Sequence, residues 1–442
     1  MNRNLLYAIP AFLVLVSCNS NRDYTKEIHD PLLYSKTVKK LNDIVLENNF
    51  PPMIASRNYV YANIAAYEVI VAGDSNYTSL SGQIKHLPPM PKPAAGKQID
   101  FPFAAMLAFC KVGNAVTFPE GSMDNYVNEL KQHAEDAGMP SGIFDNSVEF
   151  GDTIANSILA WSKKDFYAQT RSASKYTITN EPGTWVPTPP AYAAGVEPHW
   201  SEIRPMVLDS ASQFMPVRPP KFEPLNKSGD YYKALMFVKK TVDSLTPEQK
   251  HMADFWDDNP FKLNVSGHVM FATKKFSPPG HWMNIAGIIA AKKDADFATT
   301  VYAYAKTSIA LFDGFISCWD EKYRSIYVRP ETVINKLYDP NWQPYIQTPP
   351  FPEYTSGHAV ISAASAEVMT DIFGDNINYT DTSELEFGIS NRSFASVRNA
   401  AKEAAISRVY GGIHYKYSCD IGNEEGKKVG ELVIQRLRMK RK

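Results

Sequence analysis

The sequence predicts an all-α protein, built of helical bundles joined by long ordered loops. Three observations point there. Apolar residues recur every three or four positions along most of the 442-residue chain, the period of a helix with one buried face. No segment shows a convincing run of the two-residue alternation that marks strands, and no internal repeat is visible. The stretches between the periodic segments are long and rich in proline, which cannot continue a helix.

Along the chain, Tyr34, Val38, Leu41 and Val45 form the first apolar stripe, and Val60, Ile64, Tyr67 and Val71 the second. Further helices are expected at residues 101–112, 122–137 and 147–163. Ten prolines then fall between Pro182 and Pro224, so this stretch is not regular helix. It also carries Trp185, Tyr192, Trp200 and Phe214. Aromatics argue against a solvated linker, and an ordered excursion that wraps the surface or lines a cleft is expected. Helical periodicity resumes at 229–245, 247–257, 281–292 and 297–314, then at 356–373, 394–410 and 421–438. The body thus divides into an N-terminal helical region, 31–245, and a C-terminal helical region, 246–442.

Composition narrows the function. The chain has 46 basic and 47 acidic side chains, a formal net charge of −1, and so lacks the basic surplus of a nucleic-acid binder. Its 7 Trp, 24 Tyr and 23 Phe exclude a disordered chain, and 23 Gly are far too few for a collagen-like one. Four Cys are too few for a disulfide framework at this length.

The N-terminus carries an address. Arg3 is followed by an apolar run at residues 5–16, short of the roughly 20 residues of a membrane span. The run fits a signal-peptide core. Ser17-Cys18 after it resembles the cleavage box of bacterial lipoproteins. That resemblance implies a signal peptide at 1–17, a lipid on Cys18 and a polar tether over 18–30, with the membrane reached through the lipid anchor alone. Asn19-Ser20 does not resemble the inner-membrane retention signal, which favours the outer membrane of a bacterial envelope. The alternative is an ordinary signal peptide with an incidental Cys. Of the remaining cysteines, Cys318 and Cys419 lie next to the motifs described below. A disulfide between them and two buried thiols are both open.

Three short segments carry chemistry. In the first, Lys322 and Arg329 lie seven residues apart, two turns along one face if the segment is helical, and Pro330 ends that face. In the second, Ser356-Gly357-His358 precedes an apolar stripe of Val360, Ala364, Val368 and Ile372. This places Ser356 and Gly357 at a helix start, where free N–H groups favour an anion, and His358 in the first turn, where a general acid or base can act. In the third, Ser407-Arg408 is followed by Gly411-Gly412 and His414. The glycine pair ends the helix that carries Arg408 and swings His414 toward the same point. Three cations, a helix-start amide cradle and two imidazoles make an inventory for a tetrahedral oxyanion. No zinc, calcium-loop or phosphate-loop motif accompanies them.

The ordered set Lys322-x6-Arg329-Pro330, Ser356-Gly357-His358 and Ser407-Arg408-x5-His414 resembles the superfamily of type 2 phosphatidic acid phosphatases and vanadium-dependent haloperoxidases. The resemblance covers roughly residues 320–415. It implies helical bundles of that superfamily's type. It implies that Lys322, Arg329, Ser356, Gly357 and Arg408 hold the oxygens of phosphate or vanadate, and that His358 is the acid/base. His414 would be the axial ligand of vanadium in a haloperoxidase, or the nucleophile of a phosphatase acting on a phosphate ester through a phosphohistidine. Both branches share one site because phosphoryl transfer passes through a trigonal bipyramid, a geometry vanadate adopts at rest.

Features outside the trio favour the haloperoxidase branch, with hydrogen peroxide and a halide as substrates and vanadate as cofactor. Phe255-Trp256, the segment from Pro278 to Trp282, Trp319 and the segment from Phe351 to Tyr354 are similar to soluble haloperoxidases. The resemblance implies that Trp319 and Phe351 line a halide pocket; as residues alone, they are equally ordinary core aromatics. His281 reads as a packed or capping histidine rather than a ligand. Three positions depart from the family pattern. Thr355 stands where a proline is usual and is expected to loosen that turn. Asn259 occupies or adjoins a position often held by Asp, with Asp257 and Asp258 nearby as substitutes. Asp420 follows His414 at a spacing slightly longer than expected. A non-catalytic lipoprotein that binds an oxyanion or a partner is the remaining class.

Overall fold

The structure, a computed structural model, describes residues 23–441 apart from 261, 267, 268 and 274, with 262–273 described by their backbone alone. The signal segment 1–17 and Cys18 lie outside the described residues.

The helices follow the apolar stripes. They are α1 (Thr25–Ile28), α2 (Pro31–Glu47), α3 (Pro52–Gly73), α4 (Phe101–Val116), α5 (Asp124–Asp136), α6 (Ser141–Ser162) and α7 (Tyr167–Thr170) in the first half. After the proline-rich excursion come α8 (Asp230–Asp243), α9 (Pro247–Phe255), α10 (Pro278–Lys292), α11 (Phe297–Ser325), α12 (Pro330–Leu337), α13 (Gly357–Phe373), α14 (Val397–Tyr410) and α15 (Lys416–Arg436). Asp30, Asp100, Asp296 and Ser396 cap their helices by accepting an N–H of the first turn. Ile28 is fully buried, so the packed body already begins within the stretch read as a tether.

Two short antiparallel pairs, missed by the sequence, join the helices. β1 (Lys262–Ser266) pairs with β2 (Val269–Thr273), and β3 (Tyr379–Asp381) with β4 (Arg392–Phe394). Strands of three residues are too short to establish an alternation. β3 nevertheless matters, because it delivers Asp381 to the site region.

Two helices centre the fold. α3 packs on α4 and α11, and α13 packs on α11, α14 and α15. The α13–α15 approach is close because of glycine. A Cβ on Gly426 would lie 1.9 Å from the Val360 carbonyl oxygen, and one on Gly430 would lie 2.7 Å from that of Ala364. Only glycine permits this backbone contact, and the contact fixes where α13 begins.

α11 runs to Ser325, eleven residues beyond the expected end at 314, because Phe315, Ile316 and Trp319 continue its buried face. It stops at Ile326, which is left-handed at φ 43°. Lys322 and Arg329 therefore do not share a helical face. Arg329 is the N-cap of α12, and Pro330 opens that helix at its first position, where proline has no N–H to forfeit. The two cations meet through a chain reversal instead.

The excursion is ordered, and it packs against α11, where it braces Trp319 from outside the site. Trp185 and Trp200 are fully buried. The carboxylate of Asp313 on α11 accepts the N–H groups of Met206, Val207 and Leu208 at 2.7, 2.7 and 3.0 Å. The Val196 carbonyl accepts from Trp319 Nε1 at 3.2 Å and from the Tyr323 hydroxyl at 2.7 Å. Cys110, Cys318 and Cys419 are free and buried, so no disulfide joins the two near the site. Among the described residues, no helix is long and apolar enough to cross a membrane.

Candidate active site

The three motifs converge where α11, α13 and α14 end or begin. A narrow cavity of about 40 Å³ is lined by Gly357, His358, Arg408 and His414 on its polar side, and by Phe315, Trp319 and Phe351 on its apolar side. Lys322, Arg329 and Ser356 stand behind this lining, each fully buried.

Ser356 is the N-cap of α13, and Gly357 and His358 form its first turn. First-turn N–H groups have no partner within a helix. A Cβ on Gly357 would meet Trp319 at 3.6 Å and Cys318 and Phe315 at 4.0 Å, all ordinary contacts. Protein packing therefore does not require glycine there. Its bare backbone leaves the cavity open to a ligand at the helix start.

His414 follows the turn made by Gly411 and Gly412, the latter at φ +80°. Its Nδ1 lies 2.7 Å from Glu353 Oε1, and its Nε2 lies 3.1 Å from Arg329 Nη1. An arginine nitrogen only donates, so Nε2 is the acceptor and Nδ1–H points at Glu353. Burial, then the charges of Arg329, Lys322 and Arg408, hold His414 well below the ordinary histidine range. The result is a neutral imidazole with an Nε2 lone pair among cations.

Arg329 is pinned by donating to the carbonyls of Phe351 at 3.0 Å and Ile413 at 2.8 Å, while its Nη2 is buried without a partner. Arg408, in the last turn of α14, donates Nη1 to the Trp256 carbonyl and leaves Nε buried and unpartnered. Lys322 behaves differently from the sequence expectation of a cation aimed at an anion. Its three donors are taken by the carbonyls of Pro352, Glu353 and Thr355 at 2.9, 3.0 and 2.6 Å. A buried ammonium needs every donor satisfied, and the carbonyls lie nearest. Burial still pushes Lys322 down to about 8. Its Nζ stands 5.1 Å from the Phe351 ring centroid and 5.7 Å from that of Trp319.

His358 is pushed down to about 4 by burial and then by Arg408, with Asp258 opposing. Asp258 Oδ2 approaches His358 Nε2 to 3.5 Å, an electrostatic contact rather than an aligned hydrogen bond. Asp258 thus occupies the place beside the imidazole, and Asn259 lines the cavity next to it. Behind Asp258 lies His281, fully buried, with Nδ1 2.9 Å from Asp258 Oδ1 and Nε2 3.0 Å from Asp381 Oδ2. His281 is thus a packed histidine, as expected, and it is held by two carboxylates as well.

Two expectations need correction. Thr355 does not loosen the turn, because its hydroxyl donates to Glu425 Oε2 at 2.8 Å and its carbonyl holds Lys322. Asp420 pairs with Lys416 on the surface at 2.6 Å. The carboxylate that serves His414 is Glu353, which the sequence reading did not single out. Burial pushes Glu353 up to about 7, against Arg329 and Lys322. Its one signal was a charged residue inside the apolar, proline-flanked segment from Phe351 to Tyr354.

Comparison with known proteins agrees with this geometry. Residues 302–442 match the family model described as the VCPO second helical-bundle domain. A solved structure described as the first bacterial vanadium-dependent iodoperoxidase is similar at a TM-score of 0.88 and 42% identity, covering 93% of this chain and 98% of that one. Holo and apo forms of a bacterial vanadium-dependent chloroperoxidase give TM-scores of 0.65 and 0.67 at 17% identity. They cover 88% of this chain and 92% and 94% of theirs, and at that identity they show the fold alone. No curated protein matches the chain.

Proposed function

The chain belongs to the vanadium-dependent haloperoxidases, and from that premise we propose that it oxidises iodide with hydrogen peroxide at a vanadate bound through His414. The observation that carries the proposal is the state of His414: a neutral imidazole whose Nε2 lone pair faces the cavity cations while Glu353 holds Nδ1–H. An Asp, Glu or backbone acceptor on the far nitrogen is how proteins orient a metal-bound histidine and raise its basicity.

The donors fit an oxyanion. Arg329 Nη2, Arg408 Nε and Ser356 Oγ are buried without partners, and each such group costs roughly 1–3 kcal/mol unless an acceptor arrives. These three, with the Gly357 N–H, would hold the vanadate oxygens. Lys322 would add a point charge while its three carbonyl bonds fix the segment that carries Glu353 and Ser356. Bound vanadate supplies a Lewis-acidic centre that activates peroxide without a change of oxidation state. His358, neutral at working pH, would take up the peroxide proton and hold it for return. Arg408 beside it disfavours the imidazolium and so keeps the imidazole available.

Trp319 and Phe351, with ring centroids 5.0 Å apart, form an apolar wall with Phe315. A large, weakly hydrated halide gives up least on leaving water for such a wall, which supports iodide, as does the iodoperoxidase relative. The reading also places the protein in the bacterial cell envelope, anchored through a lipid on Cys18 and in the outer membrane. Its support is the sequence pattern of residues 3–20. Incorporation of labelled fatty acid that Cys18→Ala abolishes would bear this out, and incorporation that survives the change would refute it.

The activity is tested with the protein lacking residues 1–17, incubated with peroxide and iodide, bromide or chloride, with and without vanadate. Vanadate-dependent oxidation of iodide is expected, with chloride the poorest substrate. Hydrolysis of p-nitrophenyl phosphate without any halide oxidation would overturn the proposal.

A further inference from the structure

Behind the cavity, His281 is enclosed by acids. Both of its ring nitrogens lie within hydrogen-bond distance of carboxylate oxygens, Asp258 on one side and Asp381 on the other. A neutral imidazole has one N–H and one lone pair, and a lone pair facing a carboxylate is repelled. The geometry therefore requires both N–H groups, and His281 is an imidazolium. The ring cannot turn away. It stacks on Trp256 with centroids 4.7 Å apart and planes 25° apart. Trp256 is itself fixed, because its Nε1 donates to Glu403 at 3.1 Å and its carbonyl accepts from Arg408.

Asp258, His281 and Glu384 place ligand atoms within 4.8 Å of one another, as a metal site would. The cluster is instead neutralised by protein cations. Both nitrogens of His281 are taken, and Lys275 Nζ lies 3.1 Å from Glu384 Oε2.

We propose that His281 is a positioning residue whose fixed positive charge offsets Asp258 and thereby keeps His358 in its proton-accepting form. A carboxylate 3.5 Å from an imidazole ordinarily holds a proton on it. Here the carboxylate already belongs to His281. The charged and titratable groups facing Asp258 are His281 on α10, His358 on α13, Arg408 on α14, and Glu384 with its partner Lys275. Those facing His358 are Arg408, Asp258, His281 and, across the cavity, His414. If His281 were neutral, only burial and Arg408 would be left to oppose Asp258. The meaning of this device for turnover rests on the haloperoxidase reading, whereas the charge arrangement itself does not.

The test is histidine NMR on the vanadate-free protein with ¹⁵N-labelled histidine, the His358 signals being assigned by their loss in His358→Gln. In the parent, where burial and Arg408 push His358 down to about 4, the midpoint is expected well below the ordinary histidine range. In His281→Gln its midpoint rises by about two pH units, roughly a hundredfold in proton affinity. Asp381→Asn/His281→Gln removes one charge of each sign, leaves Asp258 unopposed, and gives the same rise even where the single variant does not fold. Asp258→Asn/His281→Gln removes the carboxylate as well and gives no rise. An unmoved midpoint in the first two folded variants, or an equal rise in the third, overturns the proposal. With vanadate, peroxide and iodide, the acid limb of the rate profile moves up with the NMR midpoint. An NMR shift in protein that oxidises no halide would refute the haloperoxidase reading and leave the charge arrangement standing.

Discussion

Replacing Glu353 with Gln isolates the charge behind His414. The side chain keeps its shape and its oxygen, so it can still accept from His414 Nδ1, now at 2.7 Å, and from the Tyr415 N–H, now at 3.0 Å. Only the charge is lost. A hydrogen bond to a charged group contributes about 1.5–3 kcal/mol, and a neutral one about 1. The difference of about 1–2 kcal/mol predicts vanadate binding weaker by roughly 5- to 30-fold. The measurement is a titration of vanadate into the protein, followed by the fluorescence of Trp319, which lines the cavity. It belongs at pH 8, because burial pushes Glu353 up to about 7 and the parent must carry the charge. A folded Glu353→Gln that binds vanadate within twofold of the parent would refute the reasoning that Glu353 makes Nε2 the stronger donor.

Three further outcomes follow from the structure. Asp313→Ala strands the buried N–H groups of Met206, Val207 and Leu208; a loss of at least about 3 kcal/mol in urea unfolding is expected, with new proteolysis inside residues 182–224. Gly426→Ala drives a methyl to 1.9 Å from the Val360 carbonyl; a loss of about 3 kcal/mol or more is expected, with vanadate affinity reduced because the start of α13 moves. Burial and then Arg408 push His358 down to about 4 in the folded protein, below the ordinary 6.5. The unfolded chain therefore binds its proton first, and stability falls as pH falls from 6.5 through 4, by roughly 3 kcal/mol from this group. In His358→Gln that part of the slope disappears, as unfolding at pH 4.5 and pH 7 will show.

Much of this was legible in local sequence. A helix start is written by Ser356-Gly357 before an apolar stripe, and a helix end by Gly411-Gly412, so His358, Arg408 and His414 could be placed on their turns without tertiary information. What failed was the step across the break at Ile326. Lys322 and Arg329 have helical spacing, but nothing local announces a left-handed residue between them, and Pro330 reads equally as the end of one helix or the start of the next. Asp258 was named only through the family resemblance, and Glu353 and Asp381 were hidden, for a different reason. Glu353, Asp258 and Asp381 come from a loop, a helix-following turn and a three-residue strand. Their roles arise from long-range packing onto His414, His358 and His281, and no spacing rule encodes that. The proline-rich excursion shows the opposite case, since its tryptophans gave away that it packs even though its path could not be read.

The central claim is that His414 Nε2 is the atom that bonds vanadium, with the two arginines and the start of α13 around the oxygens. Crystals soaked in vanadate, with anomalous diffraction collected across the vanadium edge, test it most directly. The account predicts one strong anomalous peak in bonding contact with His414 Nε2, flanked by Arg329, Arg408 and Gly357, and none in His414→Ala. A peak bonded to His358 instead, or an unchanged peak in His414→Ala, would contradict it.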